Sequence, residues 1–395
     1  MSSASVPAVV RALFTDADAA LLVVLRRDLH AHPELSWKEV RTQARLEDAL
    51  RGAGISDVRR IADTGLVARL PGTVPGAPVI ALRGDIDALP IQEATGLSYA
   101  SHHDGVMHAC GHDVHATWAV GAALLLHRTP ARGDVLVVLQ PAEEIGQGAS
   151  RVLDSGALDD ARAIFGAHVD RRFEVGQVVT QAGPLAASTD SFTITLTGAG
   201  AHGARPHESA DPVVGLAALI TALQTIVSRR LDPAQPGVVT VGMVHGGTAP
   251  NIIPASASLR GTVRATSGAA RDLIVGEVDR LAFSIAAAYR LEAVVEWGDR
   301  TPPVVNSADG AHWAAAAATR VLGAQAVVPL GTTNMGGEDF AFYLERLPGC
   351  FLRIGAREPG GEMIAAHSPR FQPAEEALFI GAAVLAECAR VASGA

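Results

Sequence analysis

Cysteine, lysine and long apolar runs are all scarce in this 395-residue chain, and each scarcity excludes something. Three cysteines, Cys110, Cys350 and Cys388, are too few and too scattered for a disulfide framework, and they suit a reducing compartment. The longest apolar stretches, such as 118–126, fall far short of the roughly 20 residues a membrane helix needs. The opening MSSASVPAVVRALF lacks the basic region and long apolar stretch of a secretory signal. Lysine is nearly missing, with Lys38 alone, and that reflects genome composition. Positive charge is in deficit overall, 32 Lys and Arg against 41 Asp and Glu, for a formal charge of −9. Such a balance argues against a nucleic acid or an anionic membrane surface as partner. Together these absences predict a cytoplasmic protein with no nucleic-acid and no membrane partner.

What is present points to a large, well-buried core, because 48 % of the residues are hydrophobic and only 18 % charged. The length exceeds what one core usually organises, so two domains are expected. The first half alternates helical and strand-like stretches. Residues 17–30, 39–53 and 113–128 have helical length and spacing. The short runs VIAL (79–82), VLVVL (135–139) and AIFGA (163–167) lack polar alternation, as strands buried on both faces of a mostly parallel sheet do. From about residue 190 the pattern changes. Strand-like 191–197, helical 211–230, strand-like 237–244 and 257–265, helical 269–289 and strand-like 291–297 give the order β-α-β-β-α-β of a ferredoxin-like unit. The expected fold is α/β: a mostly parallel-sheet domain from 1–186 and 301–395, interrupted by a ferredoxin-like α+β insertion over 187–300.

Polar clusters follow the apolar runs directly. VIAL leads into Arg83-Gly84-Asp85-Ile86-Asp87, VLVVL into Gln140-Pro141-Ala142-Glu143-Glu144, and AIFGA into His168, while Cys110-Gly111-His112 precedes a long helix. Parallel strands would bring all of them to the carboxyl edge of the sheet, where open α/β sheets place ligands. Thiolate, imidazole and carboxylate converging on one edge are what a transition-metal site requires. Singly each has an ordinary reading: a Cys-x-His pair is weak, adjacent glutamates are usually solvated, and a lone histidine is usually a core residue. The combination carries the inference. Successive side chains on extended backbone diverge, so one glutamate can bind metal while its neighbour faces a water molecule. A competing pattern, Gly198-x-Gly200-x-x-Gly203, fits a dinucleotide fingerprint literally, but Arg205-Pro206-His207 follow where a helix should open.

MHACGHDVHA (107–116), LQPAEE (139–144), RGDIDALPIQEATG (83–96), GGEDFAFY (336–343) and AAHSPRF (365–371) resemble the M20 metallopeptidase family. The likeness is to its amidohydrolase branch, which hydrolyses N-acyl amino acids, hippurate and auxin conjugates. LHAHPELSWKE (29–39), GAGAHGARPHESADP (198–212) and GTAPNIIP (247–254) match as well. The resemblance implies two divalent ions per subunit, zinc or manganese, with cobalt and nickel also compatible. It implies Cys110, His112, Glu144, His168 and His367 as ligands and Glu143 as general base to a metal-activated water. Asp87 would orient a ligand, and Asp85 stands where the wider family carries a histidine. His202 is implied as an oxyanion donor, and Asn251 and Arg264 as receptors of the substrate carboxylate. The implied substrate is a small N-acyl amino acid, with a dipeptidase or carboxypeptidase as the alternative. A non-catalytic binding protein would lack the base or a ligand, and none is missing here. The resemblance also implies a homodimer built through the inserted lid, with His202 reaching the partner's site. Ile220, Leu223 and Ile226 on the helix 211–230 are the residues expected to lie uncovered for that contact.

Overall fold

The computed structural model describes residues 6–395, so the first five residues of the expected 1–186 segment, and of the opening stretch tested for a signal, lie outside it. Two compact units are present. The first comprises the chain up to Gly183 with Val305–Gly331 and Asp339–Ala395; the second comprises Pro184–Val304 and Thr332–Glu338.

The first unit is built on a seven-stranded sheet of β1 (Val58–Ile61), β2 (Gly65–Leu70), β3 (Val79–Asp85), β4 (Val135–Gln140), β5 (Ala161–Glu174), β6 (Val178–Val179) and β7 (Gly349–Arg357). Their order across the sheet is β1-β2-β4-β3-β5-β7-β6. The four central strands, β4, β3, β5 and β7, are parallel, whereas β1, β2 and β6 join antiparallel at the edges. The expected mostly parallel sheet is therefore a mixed one. Helical crossovers make the centre parallel and bury it on both faces, as the six buried residues of VLVVLQ attest. β1 and β2 need only a tight turn between Ile61 and Gly65, which forces them antiparallel.

The helix His112–Arg128, buried from His112 to Leu126, packs on β3 and against the helices Asp16–Ala31 and Glu376–Ala392. It meets the last of these tightly at Gly381, where a Cβ would lie 2.1 Å from a Trp118 ring carbon. A side chain larger than hydrogen would push the two helices apart. With the central strands parallel, Asp85, Gln140 and the His168 segment of β5 reach the same sheet edge.

The second unit carries strands Thr189–Thr197, Gly237–Gly246, Ser256–Ala265 and Glu292–Thr301 in one antiparallel sheet. Ser256–Ala265 and Thr189–Thr197 are central, and Gly237–Gly246 and Glu292–Thr301 form the edges. That order, with helices Pro212–Thr225 and Gly268–Ala288, is the ferredoxin-like arrangement. Asp211 caps the first helix by accepting from Val213 N (2.9 Å), and Ser267 caps the second by accepting from Ala270 N (3.2 Å). Phe192, Ile194 and Leu196 alternate inward to meet Leu216, Leu219, Ile274 and Val278. The buried Asp190 carboxylate is held by Arg271 (2.8 Å) and Arg300 (3.0 Å). After Thr197 the chain forms a two-residue strand, Ala201–His202, paired with Ile252–Ile253, so the glycine pattern there opens no helix.

Two expectations about the helix after Asp211 need correction. Continued through Ile226–Arg230, it becomes the 19-residue Pro212–Arg230, with an 18-residue window of mean hydropathy 1.5, which is long and apolar enough to cross a membrane by length and composition. Its apolar residues are used differently, with Leu216, Leu219, Leu223 and Ile226 facing the unit's own core. For the same reason Leu223 and Ile226 are not uncovered, and Ile220 is packed against that core. The exposed apolar positions of this unit include Val213, Val214 and Val227 on the helix and Val238, Met243 and Val244 on the edge strand.

Candidate metal centre

Six side chains singled out in the sequence meet at the carboxyl edge of the first unit's sheet. Ligand atoms of Cys110, His112 and His168 lie within 4.8 Å of one another, as do those of Cys110, Glu144 and His367, and those of His112, Glu143 and Glu144.

Unusual backbone places them. Gly111, at φ +95°, turns the chain into the helix that His112 begins, and a Cβ there would stand 2.5 Å from Val169 Cγ2. Ala142 is left-handed at φ +53° just before the two glutamates, with its N–H donating to Glu39 Oε1 (2.9 Å). His367 is left-handed at φ +66°, and its N–H donates to Ala109 O (2.8 Å), tying its loop to the segment that carries Cys110. Non-glycine residues in this conformation are strained and cluster where function needs them.

Hydrogen bonds fix which atoms face the centre. His168 Nδ1 lies 2.6 Å from Val169 O, which can only accept, so Nδ1 carries the hydrogen. His168 Nε2 then presents its lone pair 3.2 Å from Cys110 Sγ. His112 Nδ1 lies 3.2 Å from Asp87 Oδ1, leaving Nε2 turned towards Glu143 Oε2 and Glu144 Oε1, each 3.8 Å away. His367 Nε2 is 3.6 Å from Glu144 Oε2. Asp87 Oδ2 accepts from Ser36 Oγ (2.7 Å) and Glu144 N (3.0 Å), so one carboxylate orients both a histidine and the Glu144 backbone.

The donor set fits a cation. Among the described residues, His112 Nε2 and Glu144 Oε1 are buried without a hydrogen-bond partner, an arrangement that is costly unless something else satisfies them. Burial pushes the Cys110 thiol well up, with the Glu144 charge adding to it. Burial, aided by Asp87 and Asp85, pushes the Glu144 carboxyl up to about 7. Both groups are therefore held against ionisation by a shortage of positive charge that a divalent ion would supply. Against the effect of burial, Asp85 and Asp87 hold the His112 imidazole well above its usual range.

His202, Asn251 and Arg264 belong to the second unit. His202 is exposed, and its Nδ1 accepts from Ala204 N (3.1 Å), which leaves Nε2 as the donor. Asn251 is its neighbour across the short pairing, where Gly203 N donates to Asn251 O (2.8 Å). Arg264 is half-buried and donates to Thr189 Oγ1. Burial lowers its pKa while Asp190 opposes the shift. Among the described residues no carboxylate pairs with Arg264, because Asp190 is taken by Arg271 and Arg300.

A model of peptidase family M20/M25/M40 matches residues 81–391. The chain belongs to that family. It is 42 % identical over 372 residues to an N-acetylcysteine deacetylase of Bacillus subtilis, covering 93 % of this chain and 96 % of that one. An IAA-amino acid hydrolase of Arabidopsis thaliana is 37 % identical over 374 residues, 93 % of this chain and 84 % of the relative. The crystal structure of a dinuclear metal binding peptidase of the M20 family from Bacillus subtilis superposes with a TM-score of 0.84 at 38 % identity, covering 95 % and 99 % of the two chains. The chain is a metal-binding hydrolase of the family's amidohydrolase branch.

Several contacts around the M20 site were not visible beforehand. Asp85, in the position where the wider family has a histidine, has both oxygens engaged, by Arg83 Nη1 (2.5 Å) and His115 Nδ1 (2.7 Å). It contributes charge, and its oxygens are committed. His115 in turn accepts from Val169 N (3.0 Å), bracing the strand at His168. Arg83 also pairs with Asp339 (2.9 Å), which accepts from Gln140 Nε2 and Ala149 N (2.9 Å each). The motifs RGDID and GGEDFAFY held these residues, but nothing in the sequence says that Arg83 and Asp339 pair across 256 positions.

Proposed function

We propose that the protein hydrolyses the amide bond of N-acyl amino acids. The observation that carries this reading is the convergence of Cys110, His112, Glu143, Glu144, His168 and His367, with His112 Nε2 and Glu144 Oε1 buried there without a hydrogen-bond partner among the described residues. Cys110, His112, Glu144, His168 and His367 would hold two divalent ions, zinc or manganese, with cobalt and nickel compatible with the same donors. When bound, such ions supply Lewis acidity that acidifies water and offsets oxyanion charge.

Glu143 is the general base. Its carboxylate takes a proton from the water attacking the acyl carbon and delivers it to the amine nitrogen as the C–N bond breaks, giving a carboxylic acid and a free amino acid. Asp87 keeps His112 in the tautomer whose Nε2 is available, and the Val169 carbonyl does the same for His168. His202, donating from Nε2, is assigned to the oxyanion, and removing one such donor typically costs about 3 kcal/mol. Arg264, a half-buried guanidinium without a carboxylate of its own, and Asn251 are assigned to the substrate carboxylate. The names of the two relatives, a deacetylase of N-acetylcysteine and a hydrolase of IAA-amino acids, favour an acyl group joined to a free amino acid.

The exposed Val213, Val214, Met243 and Val244 of the inserted unit support a homodimer, in which His202 would serve the partner's site. A cytoplasmic location belongs to the same reading. The test is hydrolysis of N-acetyl and N-benzoyl amino acids beside plain dipeptides, with metal replete and stripped protein. Faster turnover of the acyl amino acids that is lost on stripping supports it. A preference for dipeptides overturns it in favour of a dipeptidase.

A further inference from the structure

His367 differs from the other proposed ligands in what holds it. His112 opens a buried helix and His168 sits in a buried strand, whereas His367 lies in the stretch 358–373, which has no helix or strand of its own. Its side chain is half exposed. A loop this long in a compact unit leaves many carbonyls needing donors, and its shape depends on what supplies them.

One buried side chain supplies several. Arg171, on β5 three residues beyond His168, is buried, and its guanidinium reaches into the neck of this loop. Nη2 donates to Glu362 O (2.8 Å), on the approach to His367, and Nη1 donates to Gln372 O, on the way out. Nη1 also lies 3.5 Å from Ala356 O, the carbonyl that accepts Ala374 N (2.9 Å) and closes the base of the loop. The planar fork thus joins both limbs of the loop to the strand that bears His168. The incoming limb is also tied to the strands where Arg357 Nη1 donates to Gly361 O (3.3 Å) and Gly360 N donates to Glu174 Oε1 (3.4 Å), but Arg171 is the buried side chain that bonds carbonyls of both limbs.

We infer that Arg171 is the positioning residue for His367: by tying Glu362 and Gln372 to β5 it keeps His367 beside Glu144 and Cys110, and so sets the affinity of one of the two cation positions without contacting it. The inference rests on the proposed metal reading of His367. The two cation positions should then respond differently to the loss of Arg171. Cys110, His112 and His168 form one group held by helix and strand, and Cys110, Glu144 and His367 form the other, dependent on the loop.

The test titrates Co²⁺ into metal-stripped protein and reads equivalents and affinities by calorimetry and by the thiolate charge-transfer absorbance. Wild type is compared with Arg171→Met, Arg171→Lys, His367→Ala and, as a neighbouring control, the exposed Arg172→Met. Arg171→Met should weaken one equivalent at least tenfold and leave the other within about threefold, matching His367→Ala in which equivalent is lost. Arg171→Lys, keeping the charge and a donor, should fall between, and it carries the test by itself if the Met variant does not fold. Arg172→Met should bind as wild type. Wild-type binding of both equivalents by the Arg171 variants overturns the inference, as does equal weakening of both. If His367→Ala keeps both equivalents, the metal reading of His367 fails instead, and the role of Arg171 falls with it.

Discussion

Asp87 and His112 are joined through Oδ1 and Nδ1 at 3.2 Å, and the other oxygen of the same carboxylate accepts from Ser36 and from the Glu144 backbone. Asp87 is fully buried, and its hydrogen bonds hold its carboxyl below the ordinary range against the effect of burial. It therefore stays ionised and keeps the hydrogen of His112 on Nδ1. Asp87→Ala should weaken metal binding ten- to a hundredfold, the usual scale for a carboxylate behind a histidine ligand. Equilibrium dialysis of the variant checks this, with Ser36→Ala expected to show a smaller loss in the same direction.

Glu144 gives a pH signature in the metal-free protein. Its carboxyl titrates at about 7 when folded against a normal value of 4.5, so the folded state binds the extra proton between those limits. Stability of the stripped protein then falls as pH rises from 4.5 to 7, because the native state must give up a proton the unfolded state has already lost. Below 4.5 both states are protonated and the cost vanishes. Stripped Glu144→Gln should melt higher than stripped wild type at pH 8, and the gap should close by pH 4. A gap of constant size across that range would show that the carboxyl is not the titrating group.

The cysteines provide a footprint of the site. Burial and Glu144 keep the Cys110 thiol protonated in the stripped protein, while a bound cation would hold it as a shielded thiolate. Alkylation of Cys110 at pH 8.5 should be slower in loaded than in stripped protein. Cys350 and Cys388, both fully buried, should label slowly in either state. Equal Cys110 rates with and without metal would remove it from the ligand set.

The parts of the site that could be read from the sequence share a physical cause. VIAL, VLVVL and AIFGA are apolar throughout, which marks buried parallel strands, and the polar residues that follow each run lie towards the carboxyl edge of the sheet. That places Asp85, Glu143, Glu144 and His168 together without a structure. The antiparallel edges were hidden because β1, VRRI, exposes both arginines and lacks any such apolar run. The helix from Pro212 was misjudged at Leu223 and Ile226 because an apolar stripe does not say which neighbour covers it. Arg83, Asp339 and Arg171 escaped because a buried arginine looks like a surface one until its distant partners are known.

The proposed role of His202 yields a prediction about assembly. Mixing His202→Ala with Glu143→Gln, each inactive alone, should restore up to about a quarter of wild-type activity after random subunit exchange in equal amounts. Only a site combining Glu143 of one chain with His202 of the other would then be complete. Proven exchange without recovery would mean that His202 serves its own chain or has no part in the reaction.

The most direct test of the whole account is Glu143→Gln, assayed for metal content and for N-acyl amino acid hydrolysis in the same preparation. Glu143 as the base predicts wild-type metal equivalents with turnover reduced at least about a hundredfold, while Glu144→Gln loses metal. Hydrolysis near the wild-type rate in Glu143→Gln, or loss of metal from it while Glu144→Gln stays loaded, would contradict the assignment.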